Sequence, residues 1–373
     1  MELVVFDEGT SEWIKDETNS GYSYIDTSES GKENKSEWAN AKVTISGVDS
    51  YFVWIPRYAY KINGENDIDI VFIKGTGTEA AEEGKTCKYA DDSTLNTSTD
   101  YIIHPAFTTN ADLGGGWENE LAGIWIGKYE ASSVEGNSDT KEGDNVTTKH
   151  VKVQPGVSSW RNIQIGNCYT VSQNYAPDLK SHMLKNSEWG AVAYLAESKY
   201  GRNGAEIGFN QNSNYITGGE EGNAYIENNQ NQSTTGNVYG IYDMRGGATE
   251  YVASYYNGSD ANTTNIGYGD PFASIGGTSG EYSTAYTGTS ASSAYKYGDA
   301  TYETSGWHGD GANFVLSNYP FFVRGGSYGY TAFVTGVFCF GVDNRQRRRP
   351  QLVPRWPGSV MCNLLSEQKI NFF

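Results

Sequence analysis

The chain has 373 residues, enough to bury a large core in one domain or in two. Its 27 Lys and Arg stand against 45 Asp and Glu, a formal net charge of −18 at pH 7. That balance argues against nucleic acid as the main partner, since phosphate binding is carried by Lys and Arg. The 28 Tyr, 9 Trp and 45 Gly suit short strands and ordered loops and exclude a helical bundle.

Residues 1–48 are polar, acidic and Ser-rich, and are expected to form an N-terminal extension with one hairpin. Tyr51–Ile55 is a short apolar, aromatic run ended by Pro56 and reads as a strand. Gly123–Glu130 is a second strand of the same character, followed by a charged loop over 133–150. Mixed periodicity over Trp160–Ala176 indicates a helix. A clearer one is expected over Asn186–Glu197, where Trp189, Val192, Ala193, Leu195 and Ala196 fall at helical spacing. Asn186 or Ser187 is its expected N-cap. Residues 203–236 read as surface loop, and 256–312 as a long Gly/Ser/Tyr/Asn-rich insertion. The fold class these elements indicate is α+β. No 18-residue apolar stretch occurs, and Met1–Asp7 lacks a basic start before an apolar run. The chain is therefore expected neither to span a membrane nor to carry a leader.

Spacing alone offers no catalytic constellation. Gly84-Lys85-Thr86 lacks the phosphate loop's earlier glycine, because position 79 is Glu, and Glu82 and Glu83 would repel phosphate. His104, His150, His182 and His308 are widely separated, without metal-ligand spacing. Cys87, Cys168, Cys339 and Cys362 form no C-x-x-C pair; a disulfide and free thiols both remain open. No G-x-S-x-G elbow is present. No catalytic residue, metal or cofactor is expected. Arg345, Arg347, Arg348, Arg349 and Arg355 crowd near the C-terminus, as a solvated basic face or an anion-binding patch.

Two segments carry a resemblance. Asn237–Tyr251, reading N-V-Y-G-I-Y-D-M-R-G-G-A-T-E-Y, resembles the N-x-[YF]-G-L-Y-D-M-x-G-N-V-x-E-W pattern of the formylglycine-generating enzyme and sulfatase-modifying-factor family. Val323–Tyr328 resembles that family's R-G-G-S-[WY] strand, and Arg349-Pro350 stands at its closing F-R-x strand. Leu184–Trp189 is similar to its L-P-T-E-A-E-W helix start, and Gly127–Glu130 to its early K-Y-E-V-T strand. These motifs come in family order over roughly residues 50–353. The resemblance implies a C-type lectin fold of formylglycine-generating-enzyme type. Within it, Trp189, Tyr239, Tyr242, Asp243, Met244, Gly246, Glu250, Arg324, Gly325 and Gly326 are expected as scaffold, with Asp243 and Glu250 as buried acids held by backbone amides or an Arg.

The family's oxidase uses two cysteines just after G-G-S-Y. Here those positions are Tyr330 and Thr335; Cys339 comes four residues too late, and Cys362 lies beyond the closing strand. The paired-thiol redox site is therefore not expected. The chain is more similar to another branch of the fold, the variable proteins of diversity-generating retroelements, whose diversified codons follow R-G-G-S. Gly336, Val337, Phe338 and Phe340 would be the constant strand. Tyr328, Tyr330, Thr331, Phe333, Val334, Thr335, Cys339, Gly341, Val342, Asp343 and Arg345 would be the variable ligand-binding residues. The expected organisation is an extension over 1–48, a lectin-like domain over 49–353 with its variable segment at about 324–348, and a tail over 354–373. What the resemblance implies is adhesin-like recognition of a protein or glycan on a cell or phage surface, by a protein displayed on a cell, secreted or carried on a phage particle. A related oxidase and an undiversified surface or pilus component are the alternatives.

Overall fold

The computed structural model describes residues 1–17, 36–261, 279–330 and 334–342, and the backbone of Cys362–Leu364. Its largest sheet is antiparallel and seven-stranded. In spatial order it holds β12 (His182–Met183), β17 (Cys362–Leu364), β9 (Gly123–Gly127), β4 (Val48–Pro56), β3 (Asn40–Ile45), β1 (Glu2–Asp7) and β2 (Glu12–Lys15). The apolar runs of β4 and β9 pair centrally, with Trp54 opposite Trp125 and their rings 5.1 Å apart. Side chains alternate across the sheet. Val53, Ile55, Ile124 and Ile126 enter one core, and Phe52, Trp54 and Trp125 enter the other. Both faces are covered, so these strands are continuously apolar instead of alternating.

The first core is organised by α3 (Asn186–Glu197), every residue of which is buried. Trp189, Val192 and Leu195 share this core with Tyr58, Tyr60, Phe107, Phe322, Phe338 and Phe340. Its N-terminus is capped by the Glu188 carboxylate, which accepts from the Lys185 amide at 2.8 Å. Asn186 and Ser187, the expected caps, are used elsewhere: Asn186 Nδ2 donates to the Tyr286 hydroxyl, and Ser187 Oγ to Gly114 O. Against the second core lies α2 (Ile165–Tyr175), burying Ile165, Cys168, Tyr169 and Val171.

A four-stranded sheet carries the motif segments, in the order β14 (Thr284–Tyr286), β13 (Glu250–Tyr256), β15 (Phe321–Arg324) and β16 (Phe340–Val342). The β13–β15 register sets Glu250 opposite Arg324. A further sheet joins β6 (Asp67–Phe72), β5 (Tyr58–Gly64), β8 (Tyr101–Ile103) and β7 (Cys87–Lys88), and β10 (Ser132–Ser133) pairs with β11 (Val151–Lys152). Single helical turns lie at α1 (Lys141–Asp144) and α4 (Ala224–Glu227). The fold is mixed α+β, with strands mostly in antiparallel sheets. Among the described residues no helix is long and apolar enough to cross a membrane.

Three expected boundaries differ. The described residues of 1–48 do not stand apart: β1, β2 and β3 widen the main sheet, and Ala39, Ala41 and Val43 are core. Within 256–312, the described part is no insertion, since Tyr286, Ala300 and Trp307 pack in the first core. Cys362–Leu364, expected in a tail, pairs with both β9 and β12. In the first two cases burial or pairing recruits a segment whose polar or Gly-rich composition reads as peripheral; in the third, pairing recruits residues beyond the expected closing strand.

Trp189 is fully buried and its indole donates to Val337 O at 2.7 Å. Trp189→Ala is expected to cost about 3–5 kcal/mol, the range for emptying an aromatic site. Tyr242→Phe should cost about 1 kcal/mol, through the lost hydroxyl bond to Tyr225 O. Denaturant midpoints measure both; a W189A protein that unfolds like the parent would remove α3 from the centre of the core.

Candidate ligand-binding surface

The segment Asn237–Tyr251 has almost no regular structure before β13, so side chains hold it. Lys128, at the end of β9, is fully buried, and its ammonium donates to Asn40 Oδ1 (2.7 Å), Val238 O (2.6 Å) and Gly240 O (3.0 Å). Burial holds that amine well below its usual range. Tyr242 stacks on Tyr129, with centroids 5.4 Å apart. Tyr239 is half-buried and meets Trp13 edge-on. Asp243, at φ 65°, accepts from the Gly218 amide at 2.9 Å and from Asn210 Nδ2 at 2.9 Å. Its burial lifts the carboxyl to about 6 against those hydrogen bonds.

Glu130 and Glu250 lie in the same interior. Both are pushed well above the carboxylate range, by burial first and then by neighbouring acids, Asp243 beside Glu130 and both Glu130 and Asp243 beside Glu250. Glu130 Oε1 accepts from the Ala248 amide at 2.8 Å. Among the described residues neither oxygen of Glu250 has a hydrogen-bond partner. Arg324, across the strand pair from Glu250, instead donates to Ala300 O at 2.9 Å and lies over the Trp189 ring. Trp189, Tyr242, Asp243, Met244, Gly246, Glu250, Arg324, Gly325 and Gly326 are all buried.

The two motif segments meet through backbone. Gly246 N donates to Gly325 O at 3.1 Å, and Tyr328 N to Gly247 O at 2.9 Å. Gly325 and Gly326 take φ of 73° and 77°. A Cβ on Gly326 would strike Val334 O and come within 2.6 Å of Thr335 Cγ2. This double left-handed turn needs glycine, and it aims the chain outward at Tyr328.

Tyr328 and Tyr330 are half-exposed, and Tyr330 N is tied back to Ser327 O. Tyr328 meets the Tyr215 ring edge-on at 4.8 Å, and the Arg161 guanidinium lies 4.1 Å from the Tyr215 centroid while pairing with Asp139. Three loops distant in sequence therefore build one amphipathic patch. Tyr215 and Arg161 escaped the sequence reading because no spacing relates them to the R-G-G-S turn; the only signal was an aromatic residue in an Asn-rich loop.

Val334, Gly341 and Val342 are also half-exposed. Thr335 and Cys339, expected on the ligand-binding face, are 0% and 7% exposed and belong to the interior. The physical reason is the turn into β16. Gly336 packs against Asp310, the Phe338 amide donates to Asp310 Oδ2 at 3.0 Å, and Val337 and Phe338 are core. The constant strand expected from Gly336 onward thus begins only at Phe340. The Cys339 thiol donates to Val334 O, and burial pushes it to about 12, so it stays protonated at neutral pH. Thr331, Phe333, Asp343 and Arg345, and the basic cluster Arg347, Arg348, Arg349 and Arg355, lie outside the described residues. Among the described residues no group of three or more His, Cys, Asp or Glu could hold a metal ion.

No family model matches this chain, and no curated protein matches it.

The buried acids make stability depend on pH. A carboxyl whose folded pKa lies above its unfolded value keeps its proton when folded. Its contribution is fully present below the unfolded pKa and is lost as pH rises toward the folded pKa. Asp243, Glu130 and Glu250 all act in this direction. Glu250→Gln should therefore lose less stability than the parent as pH rises above the ordinary glutamate pKa of about 4.3. Parallel melting-temperature profiles for the two proteins would mean that Glu250 does not titrate in this range.

Proposed function

We propose that this chain is a ligand-binding protein of the C-type lectin fold, of the kind encoded as variable proteins by diversity-generating retroelements. One observation carries the reading. Immediately after a turn locked by Gly325 and Gly326, Tyr328 and Tyr330 stand half-exposed on a backbone bonded to Gly247 and Ser327. A recognition surface needs this combination: aromatic side chains offer large contact area at low entropic cost, and an ordered backbone limits what ordering remains at binding. Tyr215 and Arg161 extend the patch with a second ring and a cation. The motifs over Asn237–Tyr251 and Val323–Tyr328 supply the family comparison.

On this reading the protein acts by contact and not by turnover. Its ligand is a protein or glycan on a cell or phage surface. The variable positions are Tyr328, Tyr330, Thr331, Phe333, Val334, Gly341, Val342, Asp343 and Arg345. Thr335 and Cys339 are left out, because diversity there would disturb packing. The oxidase alternative is disfavoured by a Cys339 thiol that is buried, protonated and without a partner cysteine at the family's positions.

Two measurements test the proposal. The coding region for residues 324–345 should have a nearby reverse transcriptase gene and a near-copy template whose differences fall at adenines. Independently, a displayed library randomised at Tyr328, Tyr330 and Val334 should keep most clones folded, since exposed sites usually change stability by about 0.5 kcal/mol or less. Randomising Thr335 and Cys339 should abolish folded display in most clones. Loss of folding in the first library, or a locus with no template, would sink the reading.

A further inference from the structure

A groove of about 550 Å³ opens between β5, the 97–102 segment and the 295–303 turn. None of its lining residues belongs to the 324–342 segment. The volume falls within the roughly 300–1,000 Å³ of small-ligand sites. Its chemistry is unlike an apolar pocket. Tyr295 and Tyr297 are both half-exposed and meet edge-on at 5.8 Å, and Tyr302, 46% exposed, packs 4.8 Å behind Tyr295. Around these rings Asn63, Thr97 and Ser98 line the groove with an amide and two hydroxyls.

Glu303 stands in its lining. The Gly298 amide donates to Oε2 at 2.6 Å, the Tyr194 hydroxyl to Oε2 at 3.3 Å, and the Tyr60 hydroxyl reaches both oxygens. Among the described residues Oε2 accepts from three donors, whereas Oε1 accepts only from Tyr60 and keeps a lone pair to offer. Fixed donors on one side of a carboxylate are what holds it rigid for an incoming hydroxyl. Charge in the groove is nearly balanced. Asp100 pairs with Lys88 at 2.8 Å, and Lys61 lies 5.0 Å from the Tyr101 centroid. Burial also lifts Glu303 to about 7, so it is neutral in about half of molecules at that pH.

We infer that this groove binds a neutral saccharide, with the Tyr295 ring stacking on the C–H face of a sugar ring, Tyr297 standing edge-on beside it, and Glu303 Oε1 accepting one of its hydroxyls. A pyranose has an apolar face and a rim of hydroxyls, and the groove offers the complement of each: tyrosine rings, then a carboxylate, an amide and hydroxyls. An organic cation would need a net negative site or rings on several sides, and here Lys61 lines the groove.

The test uses the full chain on a printed array of mono- to tetrasaccharides, with choline titrated separately as the cationic probe. At least one saccharide should be retained. Tyr295→Ala and Glu303→Gln should each weaken that binding about tenfold or more, while Tyr328→Ala leaves it unchanged. Tyr295 is half-exposed, so its variant stays folded even where Glu303→Gln does not, and circular dichroism reports which. No retained saccharide, retention that survives Tyr295→Ala, loss of it in Tyr328→Ala, or choline binding without saccharide binding would each overturn the inference.

Discussion

The contact on which the candidate surface depends is the close approach of Gly246-Gly247 to Gly325-Gly326. Gly246 N donates to Gly325 O, and neither segment has room for a side chain beside the buried acids: a Cβ at Gly247 would strike Glu130, and one at Gly325 would come within 2.8 Å of Glu250. Because the two segments join without side chains, the direction in which Tyr328 leaves the fold is set by backbone geometry. Substitutions outward of that turn need not disturb it, which is the property a variable surface requires.

Around this junction the protein buries groups that are costly to bury. Lys128 donates to three acceptors, and Asp243 accepts from amides; Glu250 has no hydrogen-bond partner among the described residues, and burial pushes its carboxyl well above the carboxylate range. Neutralisation is the less expensive route where no donor is near, since an ionised unpaired carboxylate in the interior would cost several kcal/mol. The polar interior therefore orders a segment that has almost no ladder hydrogen bonds of its own.

The helix α3 links the two proposed binding regions. Trp189 bonds Val337 O in the segment that follows Tyr330, and one turn further along Tyr194 bonds Glu303 in the groove. Both attachments come from residues with no exposure, so each region rests on the same rigid element while presenting different chemistry to solvent: aromatic and cationic at Tyr328, Tyr215 and Arg161, aromatic and carboxylate at Tyr295 and Glu303.

What the sequence determined by itself was local. The strand at Tyr51–Ile55, a strand within Gly123–Glu130 (which ends at Gly127), the helix over Asn186–Glu197 and the α+β character were all legible, because periodicity and proline or glycine punctuation act over a few residues. Tertiary structure decided everything that rests on contacts between distant segments. It moved the cap of α3 from Asn186 or Ser187 to Glu188, since the former found better partners at Tyr286 and Gly114. It drew Glu2–Asp7, Glu12–Lys15 and Asn40–Ile45, from the polar N-terminal stretch, into the main sheet as β1, β2 and β3, where strand pairing outweighs composition. It also divided the stretch after Arg324, leaving Tyr328 and Tyr330 half-exposed while Thr335 and Cys339 turned inward behind Asp310 and Phe338. Alternation along a chain cannot report this, because which face is inside depends on what the rest of the protein lays against it.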